Sequence, residues 1–374
     1  MTKPDQYGHS RLRSLCSVAL LAPALRLIPA QTARLAGDAC WLSILAAVPA
    51  ILLDIWFLSA FMKCRAPGEG MSELLARAMG PAAGGAAAGA FSLWLLFYCG
   101  FILRSGADRF ISTVYPSSRP WVFSAVMLFL GLLAALGPEK TVSGTATVFR
   151  PLLFWVLGLV LVLAFTTASA KNLTPVTVSD ALPVLKGAVP VLDVTGSVLT
   201  NVCFLEGGTE KEPRRFSAWA QWLILPAAFM LALCAATVGN FGGGLTATMN
   251  YPFFAMIRNV RIFRSVERIE ALVVALWVAP DYILVSMLLI IASRTLMKLA
   301  GYVPREGMKL TSMANGRYII WLCVLAAGAV SLFLAPDAFT LKFLSEKVIP
   351  GLNMALIFVL LPLCFAAGKL RKTI

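Results

Sequence analysis

The sequence predicts an all-α polytopic membrane protein of about ten transmembrane helices. Three observations carry this. The 374 residues are 59% hydrophobic and only 13% charged, with a mean hydropathy of +0.82, whereas a soluble domain is about 45–50% apolar and about 25% charged. The apolar residues gather in about ten runs, each close to the ~20 residues that cross a bilayer as a helix. Two of these runs, the first and the sixth, are interrupted by proline or polar residues and stand five spans apart. No polar segment is long enough for a soluble domain, so residues 1–374 read as a single transmembrane domain.

Span 1 covers roughly Ser14 to Ala30 and contains Pro23, Pro29 and Arg26. Proline in a helix removes a backbone donor and clashes with the preceding turn, so this span is expected to be discontinuous. Lys3, Arg11 and Arg13 ahead of it, with Ala22-Pro23-Ala24 within it, imitate a secretory signal. It is read as a first transmembrane helix because its removal would leave an odd number of spans. Span 2 is Cys40 to Met62, an interfacial helix is expected over Met71 to Met79, and span 3 runs from Gly84 to Arg104. Gly85 and Gly89, four apart, suit close helix packing. Span 4 is Trp121 to Leu136 and span 5 Phe149 to Ala168.

Span 6, Val191 to Gly208, is weakly hydrophobic, carries Asp193, Thr195, Gly196, Thr200, Asn201 and Glu206, and ends in a glycine pair. It is the second expected broken helix. Span 7 is Trp219 to Val238, after which GNFGGG (239–244) is expected to break the chain before a half-buried piece around Leu245 to Ile257. Span 8 is Val266 to Ser293, span 9 Arg317 to Leu334 and span 10 Val348 to Ala367. Broken helices at matching positions of two halves mark transporters built from inverted repeats, with a site where they meet. The expectation is a 5+5 inverted repeat, about 14–168 and 190–368, with helices 1 and 6 discontinuous.

The net charge of +14 comes from lysines and arginines placed between apolar runs. That placement suits topology and anionic lipid headgroups, and nucleic-acid binding lacks a contiguous basic face or module. The basic bias favours cytoplasmic termini. Eight cysteines are scattered singly and the one histidine is His9, so no metal site or histidine base is expected. No nucleophile–base pair or phosphate loop is present, so no enzyme and no cofactor is expected.

Several residues stand out against this apolar background. Arg26 reads either as a carboxylate contact or buried ion-pair partner, or as a snorkelling side chain. Arg104, at the end of span 3, has Asp108 four residues on, the spacing of an intrahelical pair. Thr195, Gly196, Ser197, Thr200 and Asn201 offer hydroxyls, an amide and flexible backbone to a ligand, or glue between helices. Glu206 closes span 6. Asp281 follows Pro280 about halfway along span 8, ~22 Å from its start at 1.5 Å per residue. A bare carboxylate there costs about 3 kcal/mol, so it must face the interior, pair with an arginine or be protonated. Tyr98 and Trp277 line a site or simply pack. The expected ligand contacts are Pro23, Arg26, Tyr98, Thr195, Gly196, Ser197, Thr200, Asn201 and Asp281. Arg104, Glu206, Arg264, Glu267, Arg268 and Glu270 form an expected structural or gating rim, with Ser265 as N-cap of span 8 and an Arg264–Glu267 pair.

The order of motifs resembles a known family. Leu27-Ile28-Pro29 is followed by Gly37-Asp38-Ala39-Cys40-Trp41-Leu42-Ser43. Ile102-Leu103-Arg104 precedes Tyr115-Pro116-Ser117-Ser118-Arg119-Pro120. Phe204-Leu205-Glu206-Gly207 ends span 6, and Tyr251-Pro252 leads to Val266-Glu267-Arg268-Ile269-Glu270-Ala271 and Trp277. In this order they resemble the endospore germination permeases, the B subunits of Ger-type germinant receptors, within the amino acid–polyamine–organocation transporter superfamily. The chain departs from that family at Ala22-Pro23-Ala24, where glycines are usual, and at Thr141 to Thr145, where an arginine is common. The resemblance implies the leucine-transporter-like fold and a small germinant ligand, often an amino acid. It also implies germinant receptor A and C subunits as partners, and the bacterial inner spore membrane as location. An ordinary secondary amino acid or amine transporter of the same fold is the alternative, and a structural membrane subunit without ligand a third.

Overall fold

The computed structural model describes residues 9–66, 69–113, 117–138, 140–174, 176–205, 216–259, 269–301 and 316–373, the side chains of 9, 259 and 269–275 excepted. The described residues are nearly all helical. The order is α1 (His9–Ala36), a 3-10 turn (Gly37–Trp41), α2 (Leu42–Lys63), α3 (Met71–Met79), α4 (Pro81–Thr113), α5 (Pro120–Leu136), α6 (Lys140–Phe165) and α7 (Ala181–Leu205). Then come α8 (Phe216–Thr248), α9 (Pro252–Asn259), α10 (Ile269–Leu299), α11 (Arg317–Phe333), α12 (Ala338–Phe343), α13 (Ile349–Ala355) and α14 (Leu361–Leu370). The last three are joined by π-helical turns, Leu344–Val348 and Leu356–Leu360, into one path from Ala338 to Leu370. Seven described stretches are long and apolar enough to cross a membrane; the first holds both α1 and α2, and α5 and α11 are shorter apolar helices. These ten passes match the expected spans.

Burial sorts the helices. Leu12, Leu15, Leu20, Leu21, Leu25 and Ile28 are all fully buried, so α1 is apolar and covered on every side, as a helix at the centre of a bundle must be. It packs chiefly on α8 and α7, then on α6 and α10. The outer helices turn large side chains outward instead: Phe129 of α5, Trp155 of α6 and Trp321 of α11 are exposed, the pattern of a lipid-facing surface.

The expected interruptions of spans 1 and 6 are absent from the described residues. The α1 helix runs through Pro23 and Pro29, and α7 through Pro190. The carbonyls that Pro23 and Pro29 leave without a helical donor, Ala19 and Leu25, belong to buried residues, and prolines inside membrane helices are tolerated where such groups lie within protein. The glycine pair after α7 lies outside the described residues. The break expected at GNFGGG falls at Gly242, with φ +73° and ψ 158°, where two helical pieces of α8 meet at a kink. Next to it the Gly243 N–H donates to Asp38 Oδ1 at 2.6 Å, and a Cβ on Gly243 would collide with the Gly37 carbonyl carbon.

Two boundaries differ in a way that matters for the site. Span 3 does not end at Arg104 but continues to Thr113, so Arg104, Asp108 and Arg109 all lie within α4. Span 10 begins at Ala338 rather than Val348.

Candidate functional site

A buried charge centre joins three helices. Asp281 in α10 is 1% exposed, Arg26 in α1 also 1% and Arg109 in α4 3%. Arg109 Nη2 donates to Asp281 Oδ2, while Arg26 Nη1 stands 3.8 Å from Oδ1. The Arg109 guanidinium lies over the rings of Phe254 and Trp277, 5.7 and 5.5 Å from their centroids. Two cations therefore share one anion. Nε, Nη1 and Nη2 of Arg26 have no hydrogen-bond partner among the described residues, a costly state for a group with five N–H donors.

Arg26 forms part of the wall of a half-open cleft, together with Gln31, Arg34, Ser105, Asp108, Asn250, Tyr251, Lys342 and Ser345. The other polar groups there are largely engaged with one another. The Tyr251 hydroxyl donates to Asp108 Oδ2 at 2.8 Å, and burial, with that carboxylate beside it, holds the phenol well above its ordinary pKa. Arg104 Nη1 is 4.0 Å from Asp108 Oδ1, and its Nε donates to the Ala335 carbonyl at 3.1 Å. Gln31 Nε2 donates to Ser345 Oγ at 2.9 Å, and Arg34 pairs with Glu346.

A smaller, narrow cavity lies between α4, α7 and the α13 path, lined by Trp94, Tyr98, Ser197, Thr200, Asn201, Asn353 and Ile357 with Phe91, Leu95 and Leu356. Tyr98 and Ser105 are two turns apart on α4, so cavity and cleft lie at levels about 10 Å apart. Tyr98 lines the cavity and stacks on Trp94 and Phe101 of its own helix. Trp94 Nε1 donates to Asn353 Oδ1 at 3.0 Å, and Asn353 Nδ2 donates to Asp193 Oδ1 at 2.6 Å. Thr200 Oγ1 has no partner among the described residues.

The residues singled out from sequence fall into separate places. Arg26 and Asp281 meet in the charge centre, and Tyr98, Ser197, Thr200 and Asn201 line the cavity. Arg104 and Asp108 form the expected pair at the cleft. The Thr195 hydroxyl turns back to the Val191 carbonyl at 2.8 Å, Gly196 faces Asp54 of α2, and Pro23 is buried within α1. Trp277 packs on Phe253 and Phe254, beneath Arg109. Glu206, Arg264, Ser265, Glu267 and Arg268, and the side chain of Glu270, lie outside the described residues. Sequence reasoning missed Arg109, because span 3 was ended too early, and Trp94 and Asn353, which carry no local signal. It also missed Asp54, a carboxylate inside an apolar run that should be treated as functional by default.

Comparison with known proteins places this geometry. The leucine-transporter-like fold is shared with solved transporters, at identities that speak for fold alone. The nucleobase-cation-symport-1 transporter Mhp1, closed with bromovinylhydantoin bound, aligns with a TM-score of 0.63 at 15% identity over 93% of this chain and 78% of its own. MhsT in complex with L-phenylalanine gives 0.61 at 15% identity over 96% and 89%. A substrate-bound, outward-open Na⁺-coupled sialic acid symporter gives 0.59 at 14% identity over 94% and 79%. In sequence, YfkT of Bacillus subtilis (strain 168), provisionally named a spore germination protein, is 25% identical over 261 residues, 69% of this chain and 70% of YfkT. The spore permease family model, described as spore germination protein, matches residues 11–336. The chain is an integral membrane protein and belongs to the spore germination permease family.

Proposed function

We propose that the protein is the ligand-sensing membrane subunit of a spore germinant receptor, and that it binds a small zwitterion, an amino acid, in the cleft beside Asp281. The observation that carries this reading is Arg26: it is buried, it faces the cleft, and its N–H groups have no partner among the described residues. A ligand carboxylate supplies the missing acceptor in the bidentate geometry that arginine favours. Asp108 in the same cleft offers the opposite charge to the ligand's ammonium. The cavity of Tyr98, Ser197, Thr200 and Asn201, two turns away along α4, forms a second compartment of the same path.

Ligand binding acts by shifting an equilibrium between conformations that hold the ligand unequally. The moving parts are the two five-helix repeats, about 14–168 and 190–368, and the receivers are the A and C subunits. The protein resides in the inner membrane of the spore with cytoplasmic termini and performs no covalent chemistry. This reading is supported by the family and by the motif order.

The test is a thermal-shift screen of the purified full-length protein against single amino acids and sugars. At least one amino acid is expected to stabilise the wild type and not Arg26→Gln, which keeps the Arg109–Asp281 pair. Absence of stabilisation by every amino acid ends the reading. Accumulation of the stabilising amino acid in proteoliposomes would instead identify a secondary transporter of the same fold.

A further inference from the structure

A second carboxylate lies deep in the membrane-embedded bundle. Asp54 stands on the core-facing stripe of α2 with Ile51, Ile55 and Leu58 and is 2% exposed. Neither of its oxygens has a hydrogen-bond partner among the described residues. It abuts α7 at Gly196: a Cβ there would lie 3.2 Å from Asp54 Oδ2 and 2.8 Å from Ile357 Cδ1. Glycine at this position leaves room beside α7 for both the carboxylate and the isoleucine. Ile357 belongs to the π-helical turn Leu356–Leu360 and also lines the cavity. Single π turns within helices are frequent at functional sites. One isoleucine therefore touches both the cavity and the setting of Asp54.

Among the described residues, the elements packed against α2 offer Asp54 no cation. On α7 the titratable groups are Asp193, one turn from Gly196 and bound by Asn353, then Cys203, and Lys186, which is exposed. The α8 helix contributes only Cys234, which lies against Thr32. The Gly37–Trp41 turn contributes Asp38, which accepts from Gly243, and Cys40. On α14, Cys364 contacts Met79 and Lys369 lies over Phe365. No group of three or more His, Cys, Asp or Glu side chains suited to a metal ion occurs among the described residues. An isolated ionised carboxylate in such a place is far costlier than a neutral one.

We propose that Asp54 is a proton-binding site, distinct from the Arg26–Asp281 centre, and that Ile357 couples its proton to the state of the cavity. With Ile357 in place the carboxyl is neutral and dry. Displacement of Ile357 admits cavity water, which accepts the proton and leaves the carboxylate hydrated. Anything that fills the cavity then changes proton affinity, and proton binding changes the affinity of the cavity by the same factor. The coupling rests on reading the cavity as part of the ligand path.

The test is infrared spectroscopy of the full-length protein in liposomes, titrated with pH and with no germinant added. A protonated carboxyl band is expected at neutral pH in the wild type and in Arg26→Gln, and its loss in Asp54→Asn. Ile357→Ala is expected to move the titration midpoint about one unit lower, a tenfold weaker proton affinity. A band unchanged in Asp54→Asn overturns the site. An unmoved midpoint in Ile357→Ala overturns the coupling. If Asp54→Asn fails to accumulate, Asp54→Glu must shift the band, and an unshifted band overturns the site. Because no germinant is used, failure here leaves the Arg26 reading standing, and failure of the amino-acid screen leaves Asp54 standing.

Discussion

Arg109 of α4 and Asp281 of α10 form a buried ion pair between residues 172 positions apart in sequence. One oxygen of Asp281 is taken by Arg109, and the other is left facing Arg26 at 3.8 Å. The pair ties α4 to α10 and leaves Arg26 held in place but unbonded at the cleft. Trp277 and Phe254 support it by packing beneath the Arg109 guanidinium.

Removing Asp281 leaves two buried guanidinium groups without their anion. Asp281→Leu is expected to destabilise the protein by about 3–5 kcal/mol, the usual penalty for breaking a buried pair from one side. Thermal unfolding in detergent measures this. Combining it with Arg109→Leu should recover part of the loss, and a purely additive double variant would contradict the pairing.

Asn353 joins Trp94 to Asp193 through two hydrogen bonds of 3.0 and 2.6 Å. Asn353→Leu strips the donor from one buried group and the acceptor from another. The expected cost is about 1–3 kcal/mol for each group left unsatisfied, read as a lowered unfolding temperature. A neutral Asn353→Leu would mean that water replaces both bonds.

Gly243 lies where α8 touches the turn after α1. Gly243→Ala forces a Cβ onto the Gly37 carbonyl carbon and is expected to cost about 1–3 kcal/mol, as overpacking does. Gly244→Ala, which meets open space, is the matched control and should be near neutral by the same measurement.

Acid sensitivity is expected at Glu73, in the short helix α3 outside the spans, which meets Lys298 at the end of α10 over 3.0 Å. Burial pushes the Glu73 carboxyl up, but the Gly70 N–H and Lys298 outweigh it and hold it below the ordinary value. Its stabilisation is therefore present above the unfolded-state pKa of about 4.3 and is lost as pH falls through the lower folded value. At its half-exposed position it is worth no more than about 1 kcal/mol. Glu73→Gln should lower stability near neutral pH and flatten the fall on the acid side; an unchanged acid limb would rule the contact out.

The sequence by itself determined the membrane class, the ten passes and the family. Apolar runs and motif order are local properties that need no knowledge of partners. It also marked Arg26 and Asp281, because a charge in an apolar run is conspicuous wherever it packs. Only the tertiary structure decided what those charges do. Arg109 fell beyond the expected end of span 3, and nothing within α4 says that its partner lies on α10. The prolines of α1 suggested a break because, taken alone, a helix cannot absorb them. In the bundle α1 is enclosed by its neighbours, and the helix continues. Asp54 shows the same limit: its position in α2 is plain in the sequence, but its isolation beside Gly196 and Ile357 is set by contacts between helices distant in the chain.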